Sequence, residues 1–225
     1  MTNAKLFRAS GLAVLIGAVA FIAHIVARSA ITANTGGETI AFASHSLWVP
    51  INALGVFGGV LVLAGMPALY ARMADASGLT GLIGISLLAL GWLFFGVFLS
   101  FYSMVVVPWL AENAPQLVDM LNQYPPMLIA FGIALLAEVV GSVLLAVPFL
   151  RGAARPAWVG YVLIAAAVMT IGGIFVAPAG PETNLAVNLF SNLGPVLLML
   201  ALGALGFRMW EAHGAAAPRR APVHA

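Results

Sequence analysis

The segment MLIAFGIALLAEVVGSVLLAVPFL, residues 127–150, is apolar throughout except for Ser142 and one carboxylate, Glu138, near its centre. A helix of about 20 apolar residues is long enough to cross the hydrocarbon core of a bilayer. Five other runs have a similar character, so the predicted spans are residues 9–31, 47–71, 79–107, 127–150, 157–177 and 185–207. The sequence therefore predicts an all-α fold, a polytopic bundle of six transmembrane helices.

The composition excludes a water-soluble globule. Of the 225 residues, 63% are hydrophobic and 7% are charged, whereas soluble domains carry about 25% charged residues. We expect residues 1–213 to form a single membrane domain and residues 214–225, which are rich in Ala and Pro, to be a disordered cytoplasmic tail. The first apolar run follows Lys5 and Arg8 as in a signal peptide, but no clean small-residue cleavage site follows it, which favours an uncleaved helix.

Positive charge lies almost entirely on one side of the predicted bundle. With a cytoplasmic N-terminus and alternating spans, eight of the nine Lys and Arg residues are cytoplasmic: Lys5, Arg8, Arg72, Arg151, Arg155, Arg208, Arg219 and Arg220. Arg28 alone falls on the outer side. Because cytoplasmic loops carry an excess of Lys and Arg, this pattern predicts that both termini are in the cytoplasm.

Several classes of site are excluded by composition. The chain has no Cys, so disulfides, thiolate nucleophiles and Cys-ligated metal sites are ruled out. Lys5 is the only Lys and precedes the first span, which excludes a Schiff base inside the bundle. We expect no cofactor and no nucleic-acid partner, since the cations are spread along helix ends where anionic lipids attract them. Abundant Ala, Gly and Arg indicate a bacterial genome, and hence a bacterial inner-membrane protein.

Glu138 is the first candidate for function. A charged side chain at the centre of a bilayer costs about 3 kcal/mol or more, so this carboxyl should be protonated, paired or in contact with water. Ala134, Gly141 and Ser142 lie on the same helical face, and this small-residue face should point into the bundle. We interpret Glu138 as a proton-binding or cation-binding group, the alternative being a neutral Glu that is hydrogen-bonded between two helices.

The sixth span carries a second group of polar residues. Asn188 and Asn192 are four residues apart, and therefore share one face of a helix. Pro195 lacks the N–H that would bond the carbonyl of Ser191, so we expect a kink there. An interrupted helix with a free carbonyl beside two amides is a frequent way to build a solute site. A kink that serves only packing is the alternative.

Three further candidates come from the first two spans. His24 and Arg28 are again four residues apart near the outer end. Asn52 shares a face with Gly55 and Gly59, so we expect it to lie at a contact between helices. Arg28 would pair with Glu38, Glu182 or an anionic ligand, or simply reach the outer headgroups. With a rise of 1.5 Å per residue, these residues and the two Asn of the sixth span fall in the outer half of the membrane above Glu138. The sequence thus predicts an outward-facing polar pocket.

Three functions remain open from the sequence. The first is small-solute binding or proton-coupled transport through Glu138, Asn188, Asn192, Arg28, His24 and Asn52. The second is a non-catalytic membrane subunit or scaffold whose polar residues only fix helix packing. Glycine stripes such as Gly55–Gly59 and Gly84–Gly91 suit that role and leave self-association into a homo-oligomer open. The third is an intramembrane metal enzyme with His24, His45 and Glu138 as ligands, or a haem protein with the two His residues.

Overall fold

The computed structural model describes residues 3–36, 38–118, 124–176 and 184–212, and these residues contain helices and turns without a strand. The α-helices are α1 (Asn3–Asn34), α2 (Thr39–Ala43), α3 (Trp48–Trp92), α4 (Leu99–Phe101), α5 (Val107–Asn113), α6 (Pro125–Leu150), α7 (Ala157–Val176), α8 (Leu185–Ser191) and α9 (Leu193–Ala212). Two π-helical turns, π1 (Leu93–Phe98) and π2 (Tyr102–Val106), and a 3-10 turn (Pro115–Leu117) occur after α3. The predicted all-α class is confirmed. The predicted tail, residues 214–225, lies outside the described residues.

Within the described residues, five continuous helical stretches are long and apolar enough to cross a membrane. They are Ala4–Asn34, Trp48–Asn113, Pro125–Leu150, Ala157–Val176 and Leu193–Ala212. The longest has 66 residues, which would extend about 100 Å as a straight helix, several times the thickness of a hydrocarbon core. The chain is therefore a membrane protein with several apolar helices, and its longest helical stretch needs a closer description.

The long stretch turns back on itself at Gly78. Its backbone there has φ 52° and ψ −144°, a conformation that glycine adopts far more easily than other residues. On either side of this turn the two halves pack together: a Cβ added to Gly59 would lie 2.6 Å from the carbonyl oxygen of Gly96, and one added to Gly55 would lie 2.8 Å from Oγ of Ser100. Residues before and after Gly78 thus form an antiparallel helical hairpin.

The helical segments pack as a closed ring. In order around the ring they are the first half of α3, α1, α9, α7, α6 and the second half of α3. Small residues allow the close approach of the backbones. A Cβ added to Gly11 of α1 would lie 2.6 Å from the carbonyl oxygen of Gly206 of α9, and one added to Gly141 of α6 would lie 2.7 Å from the amide nitrogen of Leu88.

The two ends of the ring differ in charge and in core composition. We call the end that carries Arg8, Arg72, Arg151, Arg155 and Arg208 the basic end. Between this end and the level of Glu138 the interior is filled by side chains that are at most 1% exposed, among them Val14, Val62, Leu88, Leu145 and Leu198. The half of the bundle beyond Glu138 contains the buried polar residues described below, so an apolar layer separates them from the basic end.

Candidate functional site: a polar cavity beyond Glu138

A cavity of about 360 Å³ lies inside the ring, in the half away from the basic end. Its walls are formed by α1, α6 and α7, by the end of α3 together with π1 and α4, and by the α8–α9 junction. Five of the six residues selected from the sequence line it: His24, Arg28, Glu138, Asn188 and Asn192. Because these side chains come from three segments of the ring that are distant in sequence, the fold brings them to one place.

Glu138 is held at the centre of α6 and is 2% exposed. Oγ1 of Thr170 on α7 donates a hydrogen bond to Oε1 of Glu138 over 3.3 Å. Gly91 of α3 allows α6 to approach closely, since a Cβ added there would lie 3.0 Å from the amide nitrogen of Glu138. The predicted small-residue face of α6 does point into the bundle, because Ala134 and Gly141 are buried along with the carboxylate. The carboxyl can act as a proton carrier or as an acceptor for a bound solute.

His24 and Arg28 face the cavity from α1. Nδ1 of His24 donates to the carbonyl oxygen of Ile51 over 2.9 Å, since a carbonyl can only accept. The Arg28 guanidinium lies 5.6 Å from the ring centroid of Trp48, within range of a cation–π interaction. In the part of the chain that the structure describes, Arg28 makes no ion pair with a carboxylate, and the predicted partner Glu182 lies outside that part.

The predicted interruption of the sixth span occurs at Asn192, between α8 and α9. Its backbone leaves the helical region at φ −96° and ψ 7°. Pro195 has no N–H for the carbonyl of Ser191, and that carbonyl lies against Gly173 of α7. Nδ2 of Asn192 donates to the carbonyl oxygen of Asn188 over 2.7 Å. The junction therefore presents two amide side chains and a serine hydroxyl to the cavity.

A further bond connects this junction to α1. Nδ2 of Asn188 donates to Oγ1 of Thr32 over 3.4 Å, and Thr32 in turn donates to the carbonyl oxygen of Ser29 over 3.0 Å. Thr32 and Ser29 both line the cavity. One wall of the cavity is thus a polar strip formed by α1 and the α8–α9 junction.

Asn52 is not part of the cavity lining. It is fully buried at a contact between helices, as we expected from its position beside Gly55 and Gly59. Its Nδ2 donates to the carbonyl oxygen of Trp48 over 2.8 Å, and its Oδ1 accepts no hydrogen bond from the described residues. Asn52 therefore lies behind the site, next to the tryptophan that contacts Arg28.

The structure adds cavity residues that the sequence did not single out. The rings of Phe21, Trp92, Phe95 and Phe131 also line the cavity, and we call them the aromatic wall. Phe21 packs against Trp92 and Phe95 packs against Phe131, with ring centroids 4.4 and 5.1 Å apart, and Thr170 contacts Glu138. Trp92 is 1% exposed, and its indole N–H has no acceptor among the described residues. A buried donor without a partner costs about 1–3 kcal/mol. The one available signal was the position of Trp92 in mid-span, away from the membrane interfaces where Trp usually lies.

The three ligands of the metal-enzyme alternative are not brought together. His45 is exposed, and its Nδ1 accepts a hydrogen bond from the amide of Leu47 over 3.2 Å, outside the cavity lining. Across the described ranges, no group of three or more His, Asp or Glu side chains is close enough to hold a metal ion.

No protein-family model matches the sequence, and neither a curated protein nor a solved structure matches it significantly.

Proposed function

We propose that this protein is an inner-membrane protein of a bacterium that binds a small solute in the polar cavity and carries a proton on Glu138. The observation that supports this proposal best is the convergence of Glu138, Arg28 and Asn192 on one cavity of about 360 Å³ in an otherwise apolar bundle. Polar and ionisable side chains inside a membrane are costly, and are usually retained for function.

The topology that we propose is a bundle of six spans with both termini in the cytoplasm. The antiparallel packing on the two sides of Gly78 supports counting the 66-residue helical stretch as two spans. The gathering of arginines at the basic end supports a cytoplasmic location for that end. In this orientation the polar cavity lies in the outer half of the membrane, and the apolar layer separates it from the cytoplasm.

The solute that suits this cavity is a small carboxylate with an apolar body. The guanidinium of Arg28 is a donor for an anionic group on the polar strip. The Asn192 amide has two N–H donors, of which one bonds the carbonyl of Asn188 and the second can serve the anion. The aromatic wall, which includes Phe95 and Phe131, provides apolar surface for the rest of the molecule. Glu138 lies at the inner limit of the cavity, where a proton gained or lost by its carboxyl changes the charge that the solute meets.

The experiment that tests the proposal compares two Glu→Gln variants. Benzoate, with benzamide as its uncharged analogue, is titrated into the purified protein, and binding is followed by calorimetry in two buffers of different ionisation enthalpy. We expect the wild type to bind benzoate in preference to benzamide and to exchange a proton on binding. Glu138→Gln should abolish the proton exchange, whereas Glu112→Gln, a control at an exposed site on α5, should not.

The scaffold alternative has a different outcome in the same experiment. The hydrogen bond between Thr170 and Glu138 and the close glycine contacts are the observations that favour it. If neither probe binds to a folded wild-type protein, and Glu138→Gln changes only thermal stability, the cavity residues serve packing and the solute proposal is wrong.

A further inference from the structure

A second cavity, of about 600 Å³, opens at the basic end of the bundle. We call it the basic cavity. Three arginines from three separate parts of the chain line it: Arg72 from α3, Arg155 from the α6–α7 connection and Arg208 from α9. All three side chains are exposed, while the cavity also contacts buried apolar residues such as Phe149 and Met209. It therefore combines a cationic rim with an apolar base.

The α6–α7 connection is folded so that Arg155 reaches this rim. The amide of Arg151 donates a hydrogen bond to the carbonyl oxygen of Val147 at the end of α6. The amide of Ala154 donates to the carbonyl oxygen of Pro148 over 3.0 Å, so the connection folds back against α6. Ala154 is consequently buried at 8% exposure beneath the connection. Arg151 lies in the same connection and is also exposed, but it does not line the cavity.

The charges around the basic cavity are not balanced within the described residues. The described lining residues include three arginines and one carboxylate, Glu211. None of the three arginines forms an ion pair within the described part of the chain. Like charges repel, so an anion bound among the three arginines would be favoured. A guanidinium presents paired donors that match the oxygens of a phosphate group.

We propose that the basic cavity binds a phosphate group, and that its source is the headgroup of an anionic phospholipid in the adjacent leaflet. Basic pockets between transmembrane helices are suited to such headgroups. The rim is at the end of the bundle where headgroups lie, and the apolar base accepts the first carbons of the lipid. The site is separate from the polar cavity, so this inference stands independently of the solute proposal.

Two lipids and one water-soluble phosphate ester distinguish the sources of the phosphate. The protein, purified in a neutral detergent and stripped of lipid, is titrated with dioleoyl phosphatidylglycerol, with dioleoyl phosphatidylcholine or with glycerol phosphate, and its Tm is measured at each concentration. We expect phosphatidylglycerol to raise Tm, and phosphatidylcholine and glycerol phosphate to have little effect. A rise with glycerol phosphate equal to that with phosphatidylglycerol would overturn the lipid source and retain the phosphate site.

Arginine variants locate the site. Arg72→Gln, Arg155→Gln and Arg208→Gln should each weaken the apparent affinity for phosphatidylglycerol about tenfold. Arg151→Gln, which removes the same charge from the same end, should leave it unchanged. Equal affinities for Arg155→Gln and Arg151→Gln would overturn the proposal. Should a Gln variant not fold, the Lys variant replaces it: Arg155→Lys keeps the charge but loses the paired donors, and is expected to bind more weakly than Arg151→Lys.

Discussion

Thr170 on α7 donates a hydrogen bond to Glu138 on α6, at the end of the polar cavity nearest the basic end, over 3.3 Å. This bond joins two neighbouring helices of the ring through a carboxyl that is 2% exposed. Hydrogen bonds between transmembrane helices are worth about 0.6 kcal/mol on average and up to about 1.7 kcal/mol. The pair therefore contributes modestly to the packing of α6 and α7, and Glu138 also lines the polar cavity.

The first prediction concerns the energy of this pair. In a double-mutant cycle with Thr170→Val and Glu138→Ala, we expect a coupling energy of about 0.6–1.7 kcal/mol, because each variant removes the same bond. The free energy of unfolding is measured in mixed micelles for the wild type, the two single variants and the double variant. Thr35→Val is the control, since among the described residues the Thr35 hydroxyl bonds only to the carbonyl oxygens of Ile31 and Thr32 at the end of α1. A coupling of similar size between Thr35→Val and Glu138→Ala would contradict the assignment.

The second prediction concerns the hairpin contact between Gly59 and Gly96. A methyl group at Gly59 would meet the backbone of Gly96 at 2.6–2.7 Å, and a backbone cannot move aside as a flexible side chain can. Gly59→Ala should therefore lower the free energy of unfolding by about 1–3 kcal/mol. Gly132→Ala is the matched control in another helix, because no atom lies within 4 Å of its added Cβ. Equal stabilities of the two variants would show that the halves of the hairpin do not pack closely.

The sequence predicted the burial of individual residues better than it predicted the contacts between them. Polar side chains are rare in these apolar segments, and helical periodicity fixes the face on which each one lies. The predicted inward face of Glu138 and the predicted place of Asn188 in a polar pocket therefore agree with their burial at 2% and 4% exposure. The order of the helices around the ring depends on long-range packing between small residues, which no single segment encodes.

Asn52 illustrates this limit. Its position at a helix contact beside Gly55 and Gly59 was predicted, but Asn52 does not line the cavity, and Gly55 on the same face packs against both Ser100 of the other half of the hairpin and His24 of α1. Thr170 illustrates the converse. A Thr in a transmembrane helix often bonds a carbonyl of its own helix, so its hydroxyl gave no signal until the structure placed it opposite Glu138.

The third prediction concerns the turn at Gly78. Its φ of 52° with ψ of −144° is a region that side-chain-bearing residues adopt at a cost of about 1–3 kcal/mol. Although no atom lies within 4 Å of a Cβ added there, Gly78→Ala should lower the Tm because of backbone strain alone. Gly172→Ala is the control, with equally open surroundings inside α7. A Gly78→Ala variant as stable as Gly172→Ala would indicate a different backbone conformation at the turn.

The fourth prediction tests the proposed topology, and the absence of Cys makes the wild type a ready background for it. Three exposed residues are replaced by Cys, one in each variant: Glu38→Cys, Asp75→Cys and Arg151→Cys. Glu38 lies between α1 and α2, Asp75 precedes the turn at Gly78, and Arg151 lies in the α6–α7 connection. In intact bacterial cells, a membrane-impermeant maleimide should label Glu38→Cys, whereas Asp75→Cys and Arg151→Cys should react only after lysis. This pattern requires the first half of the hairpin to cross the membrane, because Glu38 and the turn at Gly78 would then lie on opposite sides. Labelling of Asp75→Cys in intact cells together with Glu38→Cys would place the turn outside and would contradict six spans with cytoplasmic termini.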